Sequence, residues 1–292
     1  MNIRSGPPRR CVLQISDMHA GGALGLLNPA CVLIRANDDG EDEEWTPEPS
    51  STQQYLWGLL GEKLGEIADW ADGDEIILLH TGDATQGDRF AEATIKDVTR
   101  SDQRVIAASN LAYICEALPN IRRARLITGT LVHVPDCAEA RISARLRKAA
   151  GIDVQSVHHV RLNISGAILE VAHHGPSAGT RDWLRGNVAL YHLRDRVYRD
   201  RRGGLRAADC YIYGHFHTFV PAVLPDEWLG EWRLLRLVVA PSMTGLGHHA
   251  RKTAKSPPFV EHGLVGYEIA GGRIAQVVAF TRKLDLRKEE TL

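Results

Sequence analysis

Apolar runs and polar segments alternate along most of this 292-residue chain. Residues 11–15, 75–79 and 210–213 are short and almost continuously apolar, which predicts strands buried on both faces. Apolar residues at helical spacing predict helices at residues 55–70, 107–118 and 135–150. Strands and helices follow one another without an internal repeat. The pattern predicts an α/β protein that forms a single domain over residues 1–292.

The second half of the chain has more of the alternation typical of strands. Residues 160–164 and 167–172 flank Ser165-Gly166, a pair typical of a tight hairpin turn. Four later runs predict antiparallel strands at residues 218–224, 233–239, 265–269 and 274–280. The last third of the chain is therefore expected to be rich in β-structure.

Two segments have unusual charge. Residues 37–50 hold seven acidic residues and no basic one, together with two prolines, which predicts an acidic insertion loop exposed to solvent. The alternative is a lid near His19. Residues 181–206 hold eight arginines and three aspartates, and we expect a helix within them. Its arginines form either an ordinary solvated face or the lining of a channel for a phosphate backbone.

Composition narrows the class of protein. A net charge of −1 argues against a protein that coats nucleic acid, although a local basic groove is compatible with it. The five cysteines are dispersed without a CxxC motif, which indicates reduced thiols in the cytoplasm. Neither a signal peptide nor a membrane span is visible, so no membrane partner is expected. No oligomeric state is predicted.

Short Asp and His motifs follow the ends of the predicted strands. They are Asp17-Met18-His19, Gly82-Asp83, His173-His174-Gly175 and Gly214-His215-Phe216-His217. Strand ends that deliver acids and imidazoles to one edge build a polar site above a sheet. Residues two apart on a strand point the same way, which brings together the two ligands of the first motif and the two histidines of the last. Carboxylate and imidazole ligands suit Mn, Fe, Zn or Ni.

The order of these motifs resembles that of the calcineurin-like metallophosphoesterases, whose pattern is DxH, GDxxxxG, GNH[D/E], H and GHxH. The matching positions in this chain are residues 17–19, 82–88, 174–175 and 214–217. The third motif differs, because Gly129-Thr130-Leu131-Val132-His133 replaces Gly-Asn-His. This G-T-x-x-H pattern resembles the phage and prophage branch. The resemblance implies a four-layer αββα sandwich of two mixed sheets, with the β-rich end in the second sheet.

The resemblance also implies two divalent metal ions, with Mn favoured, about 3.5–4 Å apart. Asp83 would bridge them. The other implied ligands are Asp17, His19 and His217 for one ion and Thr130, His174 and His215 for the other. His133 would protonate the leaving group, unless it is a loop histidine beside a degraded second site. His173 is expected to point away from His174 and to have at most an orienting role.

The implied function is metal-dependent hydrolysis of a phosphoester substrate, with phosphodiesters favoured and nucleic acid as one candidate. The alternative within the same class is a phosphomonoesterase. The alternative from another class is a metal-binding scaffold that keeps the fold but has lost turnover, which the replacement at Thr130 motivates.

Overall fold

The computed structural model describes residues 9–36, 39–89, 93–134, 136–177, 179, 184, 186–247 and 258–290. The strands and helices among them are β1 (Arg10–Ile15), β2 (Leu33–Ala36), β3 (Asp42–Trp45), α1 (Ser51–Ala71), β4 (Ile76–His80), α2 (Arg100–Ala117), β5 (Ile121–Ile127), α3 (Ala138–Ala150), β6 (Asp153–Val157), β7 (His159–Ile164), β8 (Ala167–Ala172), α4 (Asn187–Arg202), β9 (Cys210–Tyr213), β10 (Val220–Trp228), β11 (Glu231–Val239), β12 (Phe259–Ala270) and β13 (Arg273–Asp285).

Two mixed sheets contain most of the strands. The six-stranded sheet has the order β13-β12-β1-β4-β5-β6, in which β1, β4, β5 and β6 are parallel. The five-stranded sheet has the order β10-β11-β9-β8-β7, in which β8, β9 and β11 are parallel. Since parallel strands end at the same edge of a sheet, each sheet has one edge where several strand ends meet.

The apolar side chains separate into three cores, which define the layers. Leu13 packs with α1, α2 and α3 on the outer face of the six-stranded sheet. Its neighbour Val12 faces the other way and packs with Leu169 and Ile212 between the sheets, as strand alternation requires. Leu193 of α4 covers the outer face of the five-stranded sheet. These cores confirm the expected α/β sandwich, with the layers in the order αββα.

Polar caps explain why two helices begin earlier than predicted. Ser50 and Gln53 form a reciprocal capping box before α1, and Thr99 and Asp102 form one before α2. Periodic apolar residues start only inside each helix, so the predicted starts at residues 55 and 107 were late. Pro135, the predicted start of the third helix, lies outside the described residues.

Two predictions about β-structure need correction. Part of the predicted acidic loop is the exposed strand β3, which pairs with β2 and places Glu43 3.7 Å from the Arg35 guanidinium. The strands β12 and β13 belong to the six-stranded sheet rather than the second one, because β12 pairs antiparallel with β1. Within the described ranges, no helix combines the length and apolar character needed to cross a membrane.

Candidate metal centre

The Asp and His motifs meet above the sandwich, at the carboxyl ends of strands from both sheets. Each motif follows a strand directly or within a few residues. Asp17 and His19 follow β1, Asp83 follows β4, Thr130 and His133 follow β5, His173 and His174 follow β8, and His215 and His217 follow β9. The site therefore depends on the stacking of the two sheets.

Hydrogen bonds join the two sheets at this edge. The His215 backbone N–H donates to Asp17 Oδ2 at 3.0 Å, and His173 Nδ1 donates to the Thr81 carbonyl oxygen at 2.7 Å. The buried Ser16 hydroxyl, which sequence analysis did not single out, also donates to Asp17 Oδ2. These bonds fix the ligand-bearing loops relative to one another.

Side-chain atoms able to bind a metal form two clusters. The Asp17 cluster is Asp17, His19 and His217, and the His173 cluster is His173, His174 and His215; within each, the candidate ligand atoms lie within 4.8 Å of one another. Asp83 connects the two clusters. It groups with Asp17 and His173 on one side and with His19 and His133 on the other, within the same distance.

Asp83 is held by contacts with Thr130 and His173. Its Oδ1 accepts hydrogen bonds from the Thr130 backbone N–H at 2.6 Å and from the Thr130 hydroxyl at 2.9 Å. Its Oδ2 lies 3.2 Å from His173 Nε2. Asp83 and His173 are both buried. The Thr130 hydroxyl thus lies beside the central carboxylate, at the position where the related motif carries Asn.

Five residues of the site have left-handed backbone, with φ of 51° at Asp17, 45° at His19, 51° at Asp83, 73° at His215 and 52° at His217. Such strain in residues other than glycine is typical of functional sites. Asp17 and His19 do meet, as predicted, but the left-handed backbone brings them together and not the alternation of an extended strand.

Two glycines allow the loops to approach closely. A Cβ on Gly129 would lie 2.2 Å from both the backbone nitrogen and the carboxylate Oδ1 of Asp83. A Cβ on Gly214 would lie 2.2 Å from the Ser16 hydroxyl and 2.9 Å from Asp17 Oδ2. Any other residue at these positions would displace the carboxylates.

The prediction that His173 points away from His174 was wrong. Strand β8 ends at Ala172, so the alternation of strand side chains no longer applies to the next two residues. The ring centroids of His173 and His174 are 4.9 Å apart, and both rings lie within 5.1 Å of the His215 ring. His173 is the buried member of the pair and His174 the exposed one.

Gln86 orients two histidines of the site, a role that sequence analysis missed. Its side-chain Oε1 accepts from His19 Nδ1 at 3.2 Å, and its backbone carbonyl accepts from His133 Nδ1 at 2.8 Å. Since both acceptors are oxygens, each Nδ1 carries the hydrogen and each Nε2 is left for another partner. The His133 ring lies 4.4 Å from the His19 ring, between centroids.

The two buried carboxylates stay ionised. Burial raises the pKa of Asp17 and of Asp83, but the adjacent imidazoles outweigh it: His217 holds the pKa of Asp17 far below its ordinary value, and His173 lowers that of Asp83 to about 2. In the reverse direction, burial lowers the pKa of His173, and the contact with Asp83 overcomes this and raises it to about 9. The site therefore attracts positive charge.

Two other imidazoles of the site, His19 and His215, stay neutral and can bind a metal without first losing a proton. Burial lowers the pKa of His19 to about 3 and that of His215 to about 4. Four atoms from three of the motifs are buried and form no regular hydrogen bond to a described residue, although Asp17 Oδ1 and His173 Nε2 have charged neighbours at 3.2 Å: Asp17 Oδ1, His19 Nε2, His173 Nε2 and His215 Nδ1. Because buried polar atoms normally have partners, their convergence fits a metal centre.

The described arginines of residues 181–206 lie on and beside α4. Residues 181–183 and 185 lie outside the described part of the chain. Arg196 contacts Glu170, Arg199 lies 2.8 Å from Asp195, and Arg206 lies 2.6 Å from Asp209. Carboxylates thus neutralise several of these arginines, as on a solvated helix face.

Comparisons with known proteins add little to this description. The chain is similar to the crystal structure of Chaetomium thermophilum Vps29, at 9% identity over 96% of this chain and 97% of that one, with a TM-score of 0.31. It is also similar to the solution structure of Thermotoga maritima protein TM1076, at 15% identity over 53% of this chain and 78% of that one, with a TM-score of 0.28. No protein-family model and no curated protein matches the chain. A functional assignment must therefore rest on the side chains.

Proposed function

We propose that this protein is a phosphoester hydrolase that depends on two divalent metal ions held around Asp83. One observation carries the proposal: the Asp83 carboxylate lies within 4.8 Å of candidate ligand atoms on two sides. A carboxylate within reach of two ligand sets is what a bridged pair of ions requires. The order of the Asp and His motifs along the chain supports the same class of protein.

The two ligand sets follow from the clusters. The first ion would be held by Asp17, His19, His217 and Asp83, and the second by Asp83, Thr130, His215 and one imidazole from the pair at 173–174. We favour His173 over His174, because His173 is buried and its Nε2 lies 3.2 Å from Asp83 Oδ2. Mn is the favoured metal, and Fe, Zn or Ni are compatible with the same ligands.

The bound ions would supply the positive charge that neutralises the phosphoryl oxygens and makes a nucleophile from water near neutral pH. The chain itself supplies the proton for the leaving group. With its Nδ1 held by the Gln86 carbonyl, His133 presents Nε2 as the atom that can carry this proton. Because it groups with His19 and Asp83, His133 would lie beside a phosphoester bound to the two ions.

We favour phosphodiesters as the substrate class, as in the phage-type proteins that the G-T-x-x-H pattern resembles. Two exposed apolar side chains, Leu131 and Phe216, flank the site and suit an ester with an apolar or aromatic group. Nucleic acid remains a candidate, although the pairing of the α4 arginines with carboxylates favours a smaller ester. The five cysteines are all free thiols, which supports a location in the cytoplasm.

Metal analysis and a small substrate panel test the proposal. Protein treated with EDTA and reloaded with Mn should bind two ions per chain and hydrolyse bis(p-nitrophenyl) phosphate faster than p-nitrophenyl phosphate. The reverse preference would indicate a phosphomonoesterase. Two bound ions without turnover of either ester would indicate the scaffold, and turnover that survives chelation would reject the metal-dependent class.

A further inference from the structure

A buried glutamate lies behind the loop that carries Thr130. Glu139 is the second residue of α3 and is fully buried. Its Oε1 accepts a hydrogen bond from the Gly129 backbone N–H at 3.3 Å. Asp83 also lies against Gly129, so close that a Cβ on Gly129 would be 2.2 Å from the Asp83 carboxylate. Gly129 therefore contacts two carboxyl groups.

The contacts continue from Gly129 to the site. The next residue, Thr130, donates its backbone N–H and its hydroxyl to Asp83 Oδ1 at 2.6 and 2.9 Å. A shift of the peptide at Gly129 would move both of these donors. Thr130, a proposed ligand of the second ion only, is thus connected to Glu139 through the adjacent Gly129.

Packing alone does not account for a carboxyl group at this place. Its Oε2 is buried and has no hydrogen-bond partner among the described residues. Burial raises the pKa of Glu139 to about 7, although backbone amides of Glu139, Gly129 and Ala84 oppose the increase. An apolar side chain would avoid this desolvation, so the hydrogen bond to the loop is the feature that only an oxygen acceptor provides.

We infer that Glu139 is a positioning residue for the second metal ion, because it holds the Gly129–Thr130 peptide against Asp83. The inference rests on the proposed function. It makes a selective prediction, since Thr130 would bind only the second ion, whereas Asp17 and His19 are held by Ser16, Gln86 and the His215 backbone. Loss of the carboxyl oxygen should therefore weaken the binding of the second ion and leave the binding of the first unchanged.

Two substitutions separate positioning from packing. Glu139→Gln keeps an oxygen that accepts from Gly129, whereas Glu139→Ala removes it. We expect Glu139→Ala to bind the second Mn about 10–100-fold more weakly, as is typical when a residue that orients a ligand is lost. The first Mn should bind as in the wild type, and Glu139→Gln should restore two-ion binding. Glu139→Asp, whose shorter side chain does not reach Gly129, replaces the Ala variant if that one does not fold.

Binding is measured by calorimetric titration of the metal-free protein with Mn, together with the electron paramagnetic resonance signal of a coupled Mn pair. The matched control is Glu170→Gln, which changes a buried glutamate that contacts Arg161 and Arg196 instead of the site. This control should keep both ions.

The outcomes are distinct. Unchanged binding of both ions by Glu139→Ala, or equal weakening of both together with a lower melting temperature, would overturn the inference alone. A Gln variant as defective as the Ala variant would do the same. If the wild type itself binds fewer than two ions, the proposed function fails and this inference fails with it.

Discussion

Neutralising Asp83 is the most direct perturbation of the proposed centre. Asp83→Asn preserves the Oδ1 acceptor, so the bonds from the Thr130 N–H and hydroxyl can persist at 2.6 and 2.9 Å. What disappears is the negative charge 3.2 Å from His173 Nε2. The substitution therefore tests the charge of the bridge with little change in its shape.

The size of the effect follows from the surroundings of the carboxylate. The pKa of Asp83 is lowered from 3.8 to about 2, so its surroundings favour the charged form by roughly 2 kcal/mol even though burial and the nearby Asp17 carboxylate oppose it. Two divalent ions would add to this charge. We therefore expect a loss of at least about 3 kcal/mol of transition-state stabilisation, which is about a hundredfold in kcat.

The assay is hydrolysis of bis(p-nitrophenyl) phosphate at saturating Mn, with the metal content of the same samples measured by mass spectrometry. Asp209→Asn is the matched control, because Asp209 is also buried but pairs with Arg206 and Arg233 at the start of β9. It should lower the melting temperature and spare kcat. A kcat for Asp83→Asn within a few-fold of the wild type, with activity resistant to EDTA, would refute the reasoning.

Four further predictions test other parts of the site. Thr130→Val should lower occupancy of the second ion and Thr130→Asn should retain it; equal metal content would mean that Thr130 is not a ligand. His133→Ala should slow esters with poor leaving groups roughly 10²–10⁴-fold, and nitrophenyl esters much less, whereas an equal decrease would point to another role. If nucleic acid binds at α4, Arg194→Gln with Arg202→Gln should flatten the salt dependence of DNA binding, and no binding at low salt would reject a nuclease. Metal-free protein should be most stable near pH 6.5. Above that pH the stabilising charge of His173, whose pKa is raised to about 9, is lost as pH rises through 9, and below it buried histidines with lowered pKa, such as His215, favour the unfolded state, which takes up protons more readily. A free energy of unfolding that stays constant from pH 5 to 9 would contradict this.

Local pattern was enough to predict the elements that carry the site. Buried strands such as β1 and β9 are short apolar runs, and the ligand motifs follow them directly. The local pattern could not predict to which sheet β12 and β13 belong. That is decided by the pairing of β12 with β1, which lies about 250 residues away in the chain. The capped starts of α1 and α2 were missed because polar caps carry no apolar periodicity.

The site itself was predictable in its residue types but not in its backbone. The sequence does not show that Asp17 and His19 have left-handed backbone, because the same residue types also occur in strands. His173 and His174 could not be ranked without knowing that β8 ends at Ala172. From the sequence, Glu139 could be recognised only as an acidic residue near the start of a helix. Its contact with Gly129 could not be predicted, because it depends on how α3 packs behind the loop.

The choice between an enzyme and a metal-binding scaffold turns on His133. A scaffold needs ligands and a fold that holds them, and the two clusters already contain enough ligands for two ions. His133 is anchored independently, since its Nδ1 donates to the Gln86 carbonyl at 2.8 Å and its own carbonyl accepts from the Thr85 hydroxyl at 2.5 Å. An imidazole that is held at Nδ1 and on a fixed backbone beside Asp83, yet not required as a ligand, is useful for transferring a proton. That arrangement favours turnover over storage of metal.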